Sequence, residues 1–279
     1  MLLEVLEGAL LHSVREALSE DIGTGDITAA LIPAGGMASA TVISREAAVL
    51  CGMAWFNAVF AELDTDITIH WETRDGDAIR PGQVLCTLRG PAAHILTGER
   101  TALNFLQTLS GTATCARQYA NAVYGLSVKV LDTRKTIPGL RQAQKYAVRI
   151  GGCHNHRMGL YDGILIKENH IASTGSIQQA VQAARKISPG LPVEVEVENE
   201  GQIREALAAG ADILLLDNFT IAALISAVQL VDGGARLEAS GGITLGNIRD
   251  IAQTGVDFIS TGALTKNINA VDLSMRFHL

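Results

Sequence analysis

The chain has 279 residues, 48% of them apolar, and a formal net charge of -7. That length accommodates one β/α barrel, or a barrel with a smaller domain, around a core large enough to need no covalent staples. The acidic balance excludes a nonspecific nucleic-acid binder, and no apolar run approaches the roughly 20 residues of a membrane span. Acids within the first twenty residues and the lack of a basic start argue against a signal peptide, so a soluble cytoplasmic protein with small anionic partners is expected. Cys51, Cys86, Cys115 and Cys153 have no CxxC spacing and read as reduced thiols rather than zinc ligands.

Leu6, Leu10, Val14 and Leu18 recur every four residues, which predicts a helix over Leu3 to Leu18, ending near Glu20. Glu20 to Thr28 carries two glycines and several side-chain acceptors, the chemistry of an ordered turn. A strand or hairpin follows at Ala40 to Gly52, then a helix at Met53 to Leu63 and strands at Ile67 to Trp71 and Val84 to Leu88. Pro91 opens a long helical region from Ala92 to about Tyr124, which the Ser110-Gly111 pair is expected to interrupt. Within it, Arg100 reads as a surface helix residue.

After Gly125 short apolar runs alternate with helix-compatible segments. The strands predicted are Val128 to Leu131, Gly163 to Ile166, Val193 to Val197, Ile213 to Leu216, Arg236 to Ala239 and Phe258 to Ile259. Helices are expected at Leu140 to Ile150, Ile177 to Ile187, Gly201 to Ala209, Ile221 to Val231 and Leu245 to Ala252. This alternation is the pattern of a parallel β/α architecture, with two strands fewer than the usual barrel. Arg141 and Lys145, at i and i+4, read as a solvated helix face.

The chemistry gathers where these strands stop, the edge at which parallel sheets place their ligands. Arg134, Lys135, Arg157 and Lys167 lie at strand ends or among glycines and are expected to line an anion site. Glu194, Glu196 and Glu198 alternate with three valines, so they share a face of one strand. On a barrel strand that face is the interior, which requires Lys135, Lys167 or a metal nearby. Asp217-Asn218 ends the next strand, followed by Ser240-Gly241-Gly242 and Thr261-Gly262-Ala263 on the last two. Two glycine loops in that position, each leading toward a helix, suit a phosphate held by backbone N–H groups. His154 and His156 have a metal-ligand spacing, but the carboxylates favour magnesium carried with a phosphorylated substrate over zinc.

These motifs together resemble the quinolinate phosphoribosyltransferases, through nearly the whole chain. The resemblance rests on Gly23 to Thr28, Gly98 to Asn104, Asp132-Thr133-Arg134-Lys135-Thr136, Asn155-His156-Arg157, Leu165 to His170, Val193 to Val197, Leu216-Asp217-Asn218, Ser240-Gly241-Gly242 and Thr261 to Thr265. Ile137 and Cys153 stand where the pattern has Thr and Gly, and neither offers site chemistry. The resemblance implies an α/β protein, an incomplete six-stranded β/α barrel with an N-terminal α+β sandwich domain. Its domains would span 1–110 and 111–267, with the tail 268–279 packing back onto the first.

It also implies the reaction: quinolinate and phosphoribosyl pyrophosphate give nicotinate mononucleotide, pyrophosphate and carbon dioxide, with magnesium as cofactor, in de novo NAD biosynthesis. By this resemblance quinolinate goes to Arg134, Lys135, His156, Arg157 and Lys167, with Arg100 arriving from the second subunit of a homodimer, and Thr133 is a further substrate-binding residue. Lys135, Lys167, Glu196 and Asp217 form the catalytic group. Glu196 and Asp217 hold the ribose hydroxyls and the magnesium, through water or pyrophosphate. Ser240, Gly241, Gly242, Thr261, Gly262 and Ala263 cradle the 5′-phosphate. The rival readings are a molybdenum-transport accessory relative of the same fold, against which Lys167 argues, and a phosphoribosyl-ligand binding protein without catalysis. A nicotinate-using transferase that does not decarboxylate is the third.

Overall fold

The computed structural model describes residues 2–33 and 35–278, with side chains described from Gly8 onward. In chain order the elements are α1 (Leu2–Ile22), β1 (Met37–Ser44), β2 (Ala48–Val49), α2 (Met53–Leu63), β3 (Thr68–Trp71), β4 (Ala78–Ile79), β5 (Val84–Pro91) and α3 (Ala92–Ala122). There follow β6 (Lys129–Leu131), α4 (Arg141–Gly151), β7 (Ile164–Ile166), α5 (Glu168–Thr174), α6 (Ile177–Ile187), β8 (Val193–Val197) and α7 (Glu200–Ala208). The chain closes with β9 (Ile213–Asp217), α8 (Ile221–Val231), β10 (Arg236–Ser240), α9 (Ile248–Ala252), β11 (Phe258–Ser260), α10 (Ala263–Lys266) and β12 (Leu273–His278).

The first unit comprises residues 1–117, 137–152 and 267–279. Its antiparallel sheet has the order β12-β1-β5-β3, so the last strand of the chain pairs with the first. Trp55, Phe56 and Phe60 of α2 and Leu103, Leu106 and Leu109 of α3 are buried in its core with Leu85 and Leu88 of β5. Burial of such large apolar side chains is the main stabilising term, about 1.5–3 kcal/mol each. Val14 and Leu18 of α1 join this core, as the four-residue recurrence predicts, while the Leu6 side chain lies outside the described residues. The Glu20 to Thr28 segment does form turn chemistry: one Asp26 oxygen accepts from the N–H groups of Thr28 and Ala29, and the other from the Thr97 hydroxyl.

Two expectations fail here. The helix does not break at Ser110-Gly111: α3 is continuous through both. The Ser110 hydroxyl is used on Cys51, accepting from its N–H at 2.9 Å and donating to its carbonyl at 3.2 Å. Gly111 admits the Asn269 carbonyl, which a Cβ would meet at 2.2 Å. The expected boundary at 110 therefore falls inside a helix. Residues 137–152, expected in the barrel, belong to the first unit. Lys145 is correspondingly not on a solvated face but fully buried, as is Gln144.

The second unit comprises residues 118–136 and 153–266. Its six strands are all parallel, in the order β6-β11-β10-β9-β8-β7. The two edge strands β6 and β7 are joined by the connection that passes through α4 of the first unit, so the sheet is an open barrel of six strands. Val193, Val195 and Val197 are fully buried on the strand against which α6 and α7 pack, which leaves the glutamates on the opposite face. No helix among the described residues is long and apolar enough to cross a membrane.

Candidate active site

Each barrel strand of the second unit delivers a polar residue at its carboxyl end. After β6, the buried Asp132 accepts from Asn155 Nδ2 at 2.6 Å and from the His156 N–H at 2.9 Å. One carboxylate thus ties the segment following β6 to the one preceding β7. Thr133 Oγ1 accepts from the Lys135 N–H at 3.1 Å, and the Lys135 carbonyl accepts from the Thr265 hydroxyl at 2.8 Å. Gly262 lies against this lysine, since a Cβ there would stand 3.0 Å from Lys135 Cδ. Thr261 donates its N–H to the Leu131 carbonyl and accepts from the Ala263 N–H. The loops after β6 and β11 are therefore one assembly holding Thr133, Lys135, Thr261, Gly262 and Ala263.

Lys167 follows β7 and forms an ion pair with Glu196 of β8; the lysine side chain is 44% exposed and the glutamate 12%. The Lys167 N–H donates to His170 Nδ1 at 3.0 Å at the start of α5, a helix the sequence patterning did not predict. Asp217 ends β9, where its Oδ2 accepts from Asn218 Nδ2 at 2.7 Å. Asn218 is left-handed at φ 57°, and its N–H donates to the Ser240 carbonyl. Gly241 (φ 92°) is required here, because a Cβ would meet Asn218 Oδ1 at 2.1 Å. Gly242 is left-handed too, and its carbonyl accepts from Asn247 Nδ2 while Asn247 Oδ1 takes the Thr244 N–H.

Deeper in the barrel, His156 Nε2 lies 3.1 Å from Glu194 Oε2 and 3.6 Å from Glu238 Oε2. Glu238 was not singled out by sequence reasoning. Its signal was the same alternation that marked β8, since it shares parity with Ser240 on β10. Burial and the charge of Glu194 push its carboxyl up to about 7, while His156 and the Ser260 hydroxyl oppose this. Arg157 donates through Nη1 to the Gly163 carbonyl at 3.0 Å. Burial, then the like charge of Arg134, lowers its pKa, so the two arginines are neighbours.

His154 and His156 do not converge: His154 is exposed, its N–H donating to the Val130 carbonyl, and only His156 enters the barrel. The three glutamates of β8 also separate. Glu194 is buried beside His156, Glu196 is paired to Lys167, and Glu198 is exposed beyond the strand. Arg100 is exposed on α3 in the first unit, and Ser240 sits at the end of β10.

An open six-stranded parallel barrel whose carboxyl edge carries arginines, two lysines, two acids and two glycine loops defines a β/α-barrel enzyme acting on small anionic substrates. The chain belongs to the quinolinate phosphoribosyltransferase family: the family's N-terminal domain matches residues 26–110 and its C-terminal domain residues 112–276. A probable carboxylating nicotinate-nucleotide pyrophosphorylase of Bacillus subtilis is 44% identical, over 92% of this chain and 89% of that protein. A mitochondrial decarboxylating quinolinate phosphoribosyltransferase of Nicotiana tabacum is 38% identical, over 93% of this chain and 80% of its own length. The solved nicotinate-nucleotide pyrophosphorylase of Francisella tularensis is 48% identical and superimposes with a TM-score of 0.94, covering 97% of this chain and 96% of that one.

Proposed function

We infer that this chain transfers the phosphoribosyl group of phosphoribosyl pyrophosphate to quinolinate with decarboxylation, giving nicotinate mononucleotide, pyrophosphate and carbon dioxide in de novo NAD biosynthesis. The observation that carries the site assignment is the meeting of Lys167 with Glu196 at the carboxyl edge of the barrel, supported by the proximity of Arg134 to Arg157. Thr133, Arg134, Lys135, His156, Arg157 and Lys167 take the dicarboxylate, for which arginine is suited because it pairs bidentately and stays charged. Arg100 completes this set from the second subunit of a homodimer. The backbone of Ser240, Gly241, Gly242, Thr261, Gly262 and Ala263 holds the 5′-phosphate.

Lys135, Lys167, Glu196 and Asp217 form the catalytic group in this reading. Glu196 and Asp217 orient the ribose hydroxyls, and their negative charge stabilises the positive ribose that develops as the quinolinate nitrogen attacks the anomeric carbon. The donor set also suits magnesium: two carboxylates from neighbouring strands are hard oxygen ligands, and Asn218 engages Asp217 through Oδ2 only. Glu196 and Asp217 would hold the ion through water or pyrophosphate, and it would supply charge neutralisation to the leaving group. The new pyridinium acts as the electron sink: the adjacent carboxylate leaves as carbon dioxide, its bonding pair stays on the ring carbon as an ylide, and a lysine or water protonates that carbon. The acidic chain, with small anionic substrates, is assigned to the cytoplasm.

The test has two arms. Magnesium-dependent loss of quinolinate and release of carbon dioxide with phosphoribosyl pyrophosphate present supports the reaction, and consumption of nicotinate instead overturns it. Arg100→Ala and Lys135→Ala, each inactive, should regain partial activity on subunit exchange; no recovery in confirmed hybrid dimers sinks the shared site.

A further inference from the structure

Beneath the charged edge, three side chains have no part in the reaction as derived above beyond His156 being placed near quinolinate: His156, Glu194 and Glu238. Their ligand-capable atoms lie within 4.8 Å of one another, and they border a cavity of about 370 Å³ that Lys129, Leu131 and Phe258 also line. Both glutamates are buried, with 4% and 1% of their surface exposed, and the Oε1 atom of each has no hydrogen-bond partner. One imidazole and two carboxylates with free oxygens have the composition of a cation site. The hydrogen bonding of the ring decides against it.

The Arg157 N–H donates to His156 Nδ1 at 2.7 Å. A ring nitrogen that accepts a hydrogen bond carries no proton, so the proton of the neutral ring is on Nε2. A metal-bound histidine has the opposite arrangement: its bare nitrogen faces the metal and the other donates an N–H to a protein acceptor. Ligation through Nε2 here would require an imidazolate among carboxylates. The cluster is instead organised by protons. Nε2–H donates to Glu194 Oε2, with Glu238 Oε2 next in reach.

We propose that Glu238 is a positioning residue of the transferase reaction: with Glu194 it holds His156 as the Nε2–H tautomer, and the ring in turn fixes the backbone that presents Arg157. The proposal rests on the reading of Arg157 as a quinolinate ligand. Glu238, itself buried, stands 3.6 Å from Nε2 and backs Glu194 on the side that this ring nitrogen faces. Four anchors then converge on two residues. Asp132 takes the His156 N–H, Glu194 the ring, the ring takes the Arg157 N–H, and the Gly163 carbonyl takes the guanidinium. His156 serves the site as a ring of fixed orientation, and Arg157 brings its guanidinium charge.

Nitrogen-15 NMR of histidine-labelled enzyme, with His156 assigned through His156→Gln, reads the tautomer directly. A single Nε2–H form is expected, retained in Glu238→Gln, whose amide keeps the shape of the side chain and an acceptor oxygen. Glu238→Leu should lose the fixed tautomer and raise the KM for quinolinate about tenfold, with kcat and the KM for phosphoribosyl pyrophosphate moving less than about twofold. Glu238→Gln should hold the quinolinate KM to within about threefold of the original. If Glu238→Leu does not fold, Glu194→Leu is read in the same way. A proton on Nδ1 in the unaltered enzyme overturns the proposal, as does a folded Glu238→Leu with an unchanged tautomer. One equivalent of zinc retained by the enzyme and lost in Glu238→Gln overturns it too. If instead Arg157→Ala leaves the quinolinate KM unchanged, the site reading fails while the tautomer result stands.

Discussion

Lys167 and Glu196 form an ion pair between the ends of two neighbouring barrel strands, with the lysine nearly half exposed and the carboxylate largely covered. The exposed side keeps the ammonium available to an incoming anion, while the covered carboxylate keeps the lysine in place. Because each holds the other, their losses should not add. Lys167→Met and Glu196→Gln are each expected to lower kcat/KM about 100-fold, and the double variant much less than the product of the two. Steady-state kinetics on the three variants closes the cycle; full additivity would mean that the pair does not act as a unit.

Gly241 is the residue on which the loop after β10 depends. Its left-handed backbone and the 2.1 Å approach of Asn218 Oδ1 to any added Cβ leave no room for a methyl group. Gly241→Ala should therefore displace Asn218, and with it Asp217, which Asn218 engages. The expected result is a loss of about 1–3 kcal/mol of stability from strain, together with a raised KM for phosphoribosyl pyrophosphate. Thermal denaturation and substrate saturation curves check the two effects separately.

Much of this molecule was legible from periodicity, and the failures have physical causes. The β8 alternation of glutamate and valine showed which face was interior, and the ends of the six runs located Lys135, Lys167, Glu196 and Asp217 correctly on one edge. Local pattern failed where a distant segment determined the outcome. Ser110-Gly111 carries the local signal of a break, yet α3 continues because Cys51 and Asn269 use both residues. Lys145 looked solvated because an i, i+4 spacing reports only on its own helix, and burial is decided by what packs on that helix. Glu238 shares parity with Ser240 on β10, but a single acid makes that alternation far weaker than the three glutamates of β8. The left-handed Asn218 and its contact with Gly241 join two loops far apart in sequence, which no motif in either reveals.

Gly111 gives this conclusion a test. Alanine is favoured over glycine in a helix interior by about 1 kcal/mol, so local propensity alone predicts that Gly111→Ala stabilises α3. The Asn269 carbonyl at 2.2 Å from the new Cβ predicts the reverse, since backbone must move to relieve the clash. Overpacking of this kind costs about 1–3 kcal/mol, and a net destabilisation is expected in urea denaturation. A gain in stability would show that the segment leading into β12 can shift without loss.

The Glu238 proton should also appear in the pH dependence of stability. Its carboxyl is raised in the folded protein from the ordinary 4.5 to about 7, chiefly by burial. As pH rises through this interval the unfolded chain gives up the proton first while the folded protein retains it, so unfolding gains free energy from ionisation. The stability associated with the neutral form is fully present below about 4.5 and is lost as pH rises through about 7. A shift of that size corresponds to roughly 3 kcal/mol. Glu238→Gln removes the titration while keeping a neutral side chain of the same shape. Urea denaturation at pH 5 and at pH 8, values chosen to lie about the two ends of this interval, should show the unaltered protein losing stability at the higher pH and the variant losing less. Equal losses in both proteins would show that Glu238 does not carry this titration.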